Sequence, residues 1–285
     1  MEQRQLDELQ DWFDDYVAGF YGDDEYINAN LKLKEDHTRR VCREIWYIAD
    51  RLGLPGCQKR VAEAIALFHD IGRFEQFARF RTYFDMASIR HSILGVQILR
   101  QNGVLQSLDE CEREWIIKAV EYHADKQLPE DLNGSCLLFA QLIRDADKLD
   151  IYNVITRYYE RSKNNPQNSS LELGLPDRPE CSPRIIEKMH RGESIDFTEL
   201  RTLNDLKLMQ LGWLHDINFT VTLEQIKARR YLEALVGFLP ITADIEMIAQ
   251  RLFSYIDERL RRSNETKKSD CSAFRASRNS DKKKR

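Results

Sequence analysis

Apolar residues recur at steps of three and four positions along most of this chain. Near its start they form a stripe that consists of Leu6, Leu9, Phe13, Tyr16 and Phe20. This spacing places apolar side chains on one face of an α-helix. Alternating runs of β-branched residues, which would indicate strands, are hard to find. The pattern therefore predicts an all-α fold in which amphipathic helices pack around one core.

Capping residues and helix breakers divide the rest of the pattern into further helices. Gly53 and Pro55 end one of them, Ser88 is placed to cap another, and Asp109 with Glu112 forms a capping-box-like start. The predicted helices span about 36–52, 58–71, 88–103, 109–123, 135–161 (one long helix or two joined ones), 183–190, 197–209, 222–236 and 243–262.

A loop-rich segment separates two parts of this helical pattern. Residues 162–183, SKNNPQNSSLELGLPDRPECSP, are rich in Asn, Ser, Pro and Gly and are a candidate boundary. The division that we predict is a helical domain over 1–163, a helical extension over 164–263 that packs on it, and a disordered basic tail over 264–285.

The charge distribution distinguishes the tail from the rest. The whole chain has a net charge of −4, whereas the ten basic and three acidic residues from Arg261 to Arg285 give +7, which leaves −11 for the first 260 residues. A basic tail can contact an anionic partner such as RNA or membrane lipid. The rest of the chain has no nucleic-acid recognition motif, so we interpret the tail as a solubilising end and expect no nucleic-acid partner.

Hydropathy and cysteine usage indicate a reducing, cytoplasmic environment. No stretch of 18 or more apolar residues occurs, so membrane insertion is not expected. The N-terminal sequence MEQRQLDELQDWFDDY lacks the basic start and the short apolar core of a signal peptide. The six cysteines include no CxxC pair, which favours reduced thiols over a disulfide framework or a zinc–thiolate site.

The candidate chemistry lies near the ends of the predicted helices. His69 and Asp70 are adjacent in ALFHDIGRFEQF, where one helix ends. The other candidates lie near further helix ends or late in the long helix: His37, His91, His123 and Asp147. Helix ends can gather at one end of a bundle core and build a site there. A second pair, His215–Asp216, has no later histidine and no partner motif, so we expect a structural role for it.

The order of these residues resembles the HD-domain superfamily of metal-dependent phosphohydrolases. The resemblance covers about residues 13–159. Three segments carry it: KEDHTRRV with His37, ALFHDIGRFEQF with His69 and Asp70, and LIRDADKLDIYNV with Asp147. It implies a helical bundle of HD-domain type with a C-terminal helical extension.

This resemblance also implies a site for two divalent metal ions. Four residues match the ligands of a first ion: His37, His69, Asp70 and Asp147. Two match the added ligands of members with a second ion, in which Asp70 bridges both ions: His91 and His123. Imidazole and carboxylate ligands suit Mn, Fe, Co, Ni or Zn. Two such ions about 3.5–4 Å apart can hold a bridging hydroxide and neutralise a phosphoryl group. Asp125 and Tyr122, beside His123, are candidates for orienting that ligand.

Basic residues close to the ligands are candidates for phosphate binding. Arg73 follows the His-Asp pair by three residues and can bind phosphate oxygens in a forked geometry, with a salt bridge to a nearby acid as the alternative. Lys148 follows Asp147 directly and can also hold an anion, while Arg144 and Arg90 are weaker candidates. With Asp70, Arg73 and Lys148 form the predicted catalytic set.

The resemblance implies an enzyme that cleaves a small phosphoester, with nucleotides among the candidate substrates, as a phosphomonoesterase or a phosphodiesterase. Two specialised substrates are not supported. His123 is followed by Ala124, unlike the adjacent histidines and GYP tripeptide of HD-type cyclic-di-GMP hydrolases, and IGRFEQ lacks the Glu-Asp pair of guanosine tetraphosphate hydrolases. Two alternatives remain open: a diiron oxygenase with the same six ligands, and a non-catalytic, metal-stabilised sensing or interaction module.

Overall fold

A computed structural model describes the backbone of residues 1–162 and 169–282, and the side chains of residues 1–161 and 171–265. The all-α prediction is confirmed, because these residues form helices and no strand. The first seven helices are α1 (Gln3–Ala18), α2 (Glu25–Arg51), α3 (Gly56–Phe68), α4 (Ile71–Phe80), α5 (His91–Gln101), α6 (Glu110–Tyr122) and α7 (Gly134–Ser162). The others are α8 (Ser169–Glu172), α9 (Pro183–Arg191), α10 (Leu203–Gly212), α11 (Thr220–Ala228), α12 (Tyr231–Val236) and α13 (Ala243–Lys282).

The chain divides into two compact units, Met1–Leu175 and Pro176–Arg285. The boundary predicted between residues 163 and 164 lies outside the described residues. Among the described helices, none combines the length and the apolarity that crossing a membrane requires.

In the first unit, α2, α3 and α7 form the centre of the bundle. Helix α2 packs against α3, α4 and α7, while α3 also packs against α1 and α6. Helices α4, α5 and α6 pack in sequence order, and α6 returns to α7. The largest fully buried side chains of this unit include Phe13, Phe68, Phe74, Phe139 and Tyr152. Their burial supplies the main hydrophobic contribution to the stability of the bundle.

The start of α2 differs from the sequence prediction. The helix begins at Glu25 instead of near residue 36, with the Asp24 side chain accepting a hydrogen bond from the Ile27 amide. The added turns look polar in sequence, yet Asn30 and Leu31 within them are buried. This extension matters for the site, because it makes Lys34 part of the same helix as the predicted ligand His37.

The corner between α3 and α4 also differs from the prediction of one helix over 58–71. Helix α3 ends at Phe68, and a new helix starts at Ile71. Between them Asp70 leaves helical geometry, with φ −104° and ψ 15°. Gly72 then makes a close approach, because a Cβ atom there would overlap the His91 carbonyl oxygen and lie 2.8 Å from the Gly95 amide nitrogen. Glycine is therefore needed where α4 packs against α5.

The second unit has α10 at its centre. Every residue from Leu203 to Leu211 in this helix is buried, and α10 packs against α9 and α12. The single helix predicted over 222–236 is two helices, because Arg230 adopts a left-handed conformation with φ 57° between them. Helix α13 packs against α9, α11 and α12.

The end of α13 differs from the predicted tail. Helical backbone continues to Lys282, through most of the segment for which the sequence predicts disorder. Near the start of that segment, Arg261 pairs with Glu265 and Arg262 pairs with Glu258 at helical spacing. Residues 283–285 of the predicted tail lie outside the described residues.

Candidate metal centre

The six predicted ligands come together in the first unit from four helices and the corner between α3 and α4. His37 lies in the middle of α2, and His69 and Asp70 lie between the end of α3 and the start of α4. His91 is the first residue of α5, His123 directly follows α6, and Asp147 lies in the interior of α7. All four histidines and Asp70 are buried, and the Asp147 side chain is 19% exposed. The six side chains thus converge, although His37 lies in the middle of its helix and not near a helix end as the sequence predicts.

Asp70 lies between two pairs of histidines and directs one oxygen towards each. Its Oδ2 atom is 3.7 Å from Nε2 of both His37 and His69. Its Oδ1 atom is 3.4 Å from His91 Nε2 and 3.8 Å from His123 Nε2. In each trio the candidate ligand atoms lie within 4.8 Å of one another. A carboxylate in this position can bridge two metal ions.

The histidines of each pair also lie close to each other. The Nε2 atoms of His37 and His69 are 3.4 Å apart, and those of His91 and His123 are 3.0 Å apart. Asp147 joins the first pair, with Oδ1 3.1 Å from His37 Nε2 and 3.8 Å from His69 Nε2. The first group therefore offers two imidazoles and two carboxylates, and the second offers two imidazoles and the shared carboxylate.

Each histidine is oriented by a hydrogen bond from its other ring nitrogen. His69 Nδ1 donates to the Ala66 carbonyl oxygen at 2.7 Å, and His123 Nδ1 donates to the Val120 carbonyl oxygen at 2.8 Å. A carbonyl oxygen can only accept, so these bonds place the proton on Nδ1 and leave the Nε2 lone pair directed at the site. This tautomer is the one that a metal ligand requires.

The other two histidines are oriented by carboxylates that sequence reasoning missed. His37 Nδ1 is 2.7 Å from Asp150 Oδ2, and His91 Nδ1 is 2.7 Å from Asp85 Oδ2. Asp150 also accepts from Arg40 Nε at 2.7 Å. Asp150 follows Asp147 by three residues on one helix, a signal that the sequence does contain. Asp85 lies in the connection between α4 and α5, where no periodicity could have indicated it.

The Asp85→Asn variant is expected to bind metal about ten- to a hundredfold more weakly, because an amide orients His91 less firmly than a carboxylate does. Metal content after equilibrium dialysis checks this expectation. The control is Asp50→Asn, which alters an exposed carboxylate on α2 that pairs with Lys59. Equal metal content in the two variants would show that Asp85 does not support the ligand.

Burial and neighbouring charges favour the metal-binding protonation state of three candidate ligands, His69, His91 and Asp70, but not of His37. Burial lowers the pKa of His69 to about 4 and that of His91 to about 3, so both are neutral at pH 7. For Asp70 burial acts to raise the pKa, but the Lys34 ammonium and the neighbouring histidines outweigh it and hold the pKa well below its usual value. Burial likewise opposes the charged form of His37, yet hydrogen bonds to Asp147 and Asp150 raise its pKa overall.

The metal-free protein is expected to lose stability as the pH falls from about 6.5 to about 4. In this window an unfolded chain protonates His69 but the folded chain does not, which costs about 3 kcal/mol for that residue alone. His91 acts in the same direction, whereas the raised pKa of His37 adds stability on acidification mainly at pH values above this window. Urea unfolding of chelator-treated protein at several pH values measures the slope. A free energy of unfolding that rises on acidification would contradict the expectation.

The cations of the site have specific partners. Arg73 Nε lies 3.4 Å from Asp70 Oδ1, and its Nη1 donates to Asp85 Oδ1 at 2.8 Å. The salt-bridge alternative for Arg73 is thus present, with Asp85 as the acid. Lys148 is partly buried and follows Asp147 on α7. Sequence reasoning missed Lys34, whose Nζ lies 2.8 Å from Asp70 Oδ2.

Arg144, a weaker phosphate candidate, instead stabilises the end of α6. The buried guanidinium donates from Nη1 to the carbonyl oxygens of Tyr122, His123 and Asp125. A cation at this position compensates the negative end of the helix dipole and holds the turn that carries His123. The Asp125 side chain pairs with Arg90, so the orienting role that the sequence predicts for Asp125 is taken by the Val120 carbonyl.

The second His-Asp pair lies in the other unit. His215 and Asp216 belong to a 3-10 turn, Trp213–Asp216, and the His215 ring packs against Tyr255 with 4.6 Å between ring centres. Neither residue is in a metal-competent group among the described side chains. This arrangement agrees with the structural role expected for the pair.

Residues 35–152 match the model of the HD domain family. The match covers the part of the chain that carries the sequence resemblance, and the HD superfamily consists generally of metal-dependent phosphohydrolases. HD domains bind divalent metal ions, and the donor set described above fits such ions. Neither a curated protein nor a solved structure matches the chain.

Proposed function

We propose that this protein is a metal-dependent phosphohydrolase that cleaves a small phosphoester at a two-ion site. The observation that carries the proposal is the position of Asp70, whose two carboxylate oxygens face separate histidine pairs. A shared carboxylate between two imidazole pairs fits two divalent ions side by side. When bound, such ions activate water as a nucleophile and neutralise the charge of a phosphoryl group.

The candidate ligands form two groups, one for each ion, that share Asp70. A first ion would be held by His37, His69, Asp70 and Asp147, and a second by Asp70, His91 and His123. Asp85 and Asp150 keep the rings of His91 and His37 in the ligand orientation. The imidazole and carboxylate donors suit Mn, Fe, Co, Ni or Zn, without a thiolate that would select a softer ion.

Two basic residues complete the proposed catalytic set with Asp70. Arg73 approaches Asp70 Oδ1 from α4 and is fixed there by Asp85 and Gln76. A guanidinium held beside the second histidine pair can orient a phosphoryl oxygen. Lys148 is proposed to attract the anionic substrate from its position next to Asp147, as the sequence predicts.

Phosphate release tests this function. The protein is freed of metal, reloaded with Mn, Co, Ni, Zn, Mg or Fe in turn, and mixed with nucleotides and generic phosphomonoesters and phosphodiesters. Metal-dependent release of phosphate or alcohol supports the proposal and ranks the substrates. Protein that holds metal yet releases nothing contradicts it. Oxygen uptake by the ferrous protein would then favour the oxygenase, and partner capture without turnover would favour the non-catalytic module.

A further inference from the structure

Lys34 is a partly buried cation beside Asp70 that no step of the proposed function uses. It lies on α2, one helical turn before His37. Its Nζ donates to Asp70 Oδ2 at 2.8 Å, and its side chain is only 19% exposed. Burying an ammonium group is unfavourable unless a charged partner compensates it. For the Lys34 ammonium this partner is Asp70 Oδ2, the carboxylate oxygen that faces His37 and His69.

The surroundings hold the Lys34 ammonium in place. It lies 5.3 Å from the centre of the Tyr83 ring, which attracts it through a cation–π interaction. The Tyr83 hydroxyl donates to the Asn30 carbonyl oxygen at 2.8 Å, and the Tyr83 ring packs 4.6 Å from Phe77. Since Asn30 and Lys34 are on the same helix, Tyr83 fixes the turn from which the lysine extends.

Lys34 differs from Arg73 in how its charge is compensated. Arg73 Nη1 donates to Asp85, Gln76 and the Tyr83 carbonyl, so a separate carboxylate balances the guanidinium. The carboxylate next to Lys34 is Asp70, which is also the proposed bridge between the ions. If Asp70 also served two divalent ions, it would compensate Lys34 less, and two of the three ammonium protons would remain for other acceptors.

We infer that Lys34 binds a terminal phosphoryl oxygen and thereby makes the site selective for phosphomonoesters over phosphodiesters. This inference rests on the proposed function. A monoester has three non-bridging oxygens, so one remains for the ammonium when two face the ions. A diester has only two. Near neutral pH the monoester is also a dianion, and its additional negative charge interacts with the additional positive charge of Lys34.

The test measures anion binding with and without the ammonium. Mn-loaded protein is titrated calorimetrically at pH 8 with inorganic phosphate, which has the dianionic charge of a monoester, and with dimethyl phosphate, a monoanionic diester. Lys34→Gln is expected to weaken phosphate binding about ten- to a hundredfold, the range for a charge-assisted hydrogen bond, and to change dimethyl phosphate binding about threefold at most. Lys34→Arg is expected to restore most of the phosphate affinity.

Matched controls keep the outcomes separate. Lys32→Gln removes an exposed ammonium of the same helix that pairs with Asp36, and it is expected to change neither affinity. Metal content is measured for every variant. Equal weakening of both anions, no weakening of either, or loss of metal in Lys34→Gln would each overturn the role of Lys34. If the metal-loaded wild type binds neither anion and hydrolyses no phosphoester, the proposed function fails, and this inference fails with it.

Discussion

Asp70→Asn is expected to lose at least one bound metal ion per chain and to release phosphate at least about a hundredfold more slowly than the wild type. The variant keeps the size of the side chain but replaces a charged bridge with a neutral amide between two histidine pairs. Changes to groups that only orient a metal ligand cost about ten- to a hundredfold. The loss of a ligand shared by both ions should cost more.

The measurement is metal content together with phosphate release on the best substrate of the panel. Asp216→Asn is the matched control, because it makes the same change in the other His-Asp pair of the chain, which lies in a 3-10 turn of the second unit. Unchanged circular dichroism in both variants separates a site effect from unfolding. Full activity in Asp70→Asn would remove the basis of the two-ion proposal.

Gly72→Ala is expected to lower the free energy of unfolding by about 2–3 kcal/mol, the range for overpacking in a core. The added methyl group would overlap the His91 carbonyl oxygen and crowd the Gly95 amide, both of which are backbone atoms that cannot rotate away. Helices α4 and α5 must therefore separate. Since their first turns adjoin Asp70 and contain His91, metal binding should weaken together with stability.

Urea unfolding of the metal-free variant gives its stability, and dialysis gives its metal affinity. Gly22→Ala serves as the control, because a Cβ atom at Gly22 would meet no heavy atom within 4 Å. Equal stability of the two variants would show that α4 and α5 can separate at no cost. Normal metal binding by a destabilised Gly72→Ala would show that the ligands are held independently of the α4–α5 contact.

Hydrophobic periodicity was sufficient to predict the helical class and the rough position of most helices. The stripe Leu6, Leu9 and Phe13 is buried in α1, and Asp109 caps α6 as predicted. Boundaries were less accurate where tertiary contacts override the local pattern. The polar first turns of α2 are helical because they pack in the bundle. The break before α4 lies where Gly72 closely approaches α5, a contact that exists only in the folded chain.

The clustering of the six candidate ligands was predictable from the sequence, but their supporting groups were not. The order of histidines and aspartates along successive helices indicated that they meet, and the structure brings all six together. Their orienting partners are fixed by three-dimensional contacts, some across more than 100 residues, as between His37 and Asp150. The role of Lys34 depends on the same kind of contact, since nothing in the segment KEDH shows that the lysine reaches Asp70.

The spread of the six candidate ligands over four helices and the α3–α4 corner has a consequence for how the first unit melts. Ions held there would act as cross-links between segments that are distant in sequence, from α2 to α7. Because the unfolded chain cannot assemble this set of donors, ligand-linked stabilisation would grow with the free metal concentration, by about 2.7 kcal/mol at one hundred times the dissociation constant. The melting temperature of Met1–Leu175, the unit that contains all six candidate ligands, would then report metal occupancy.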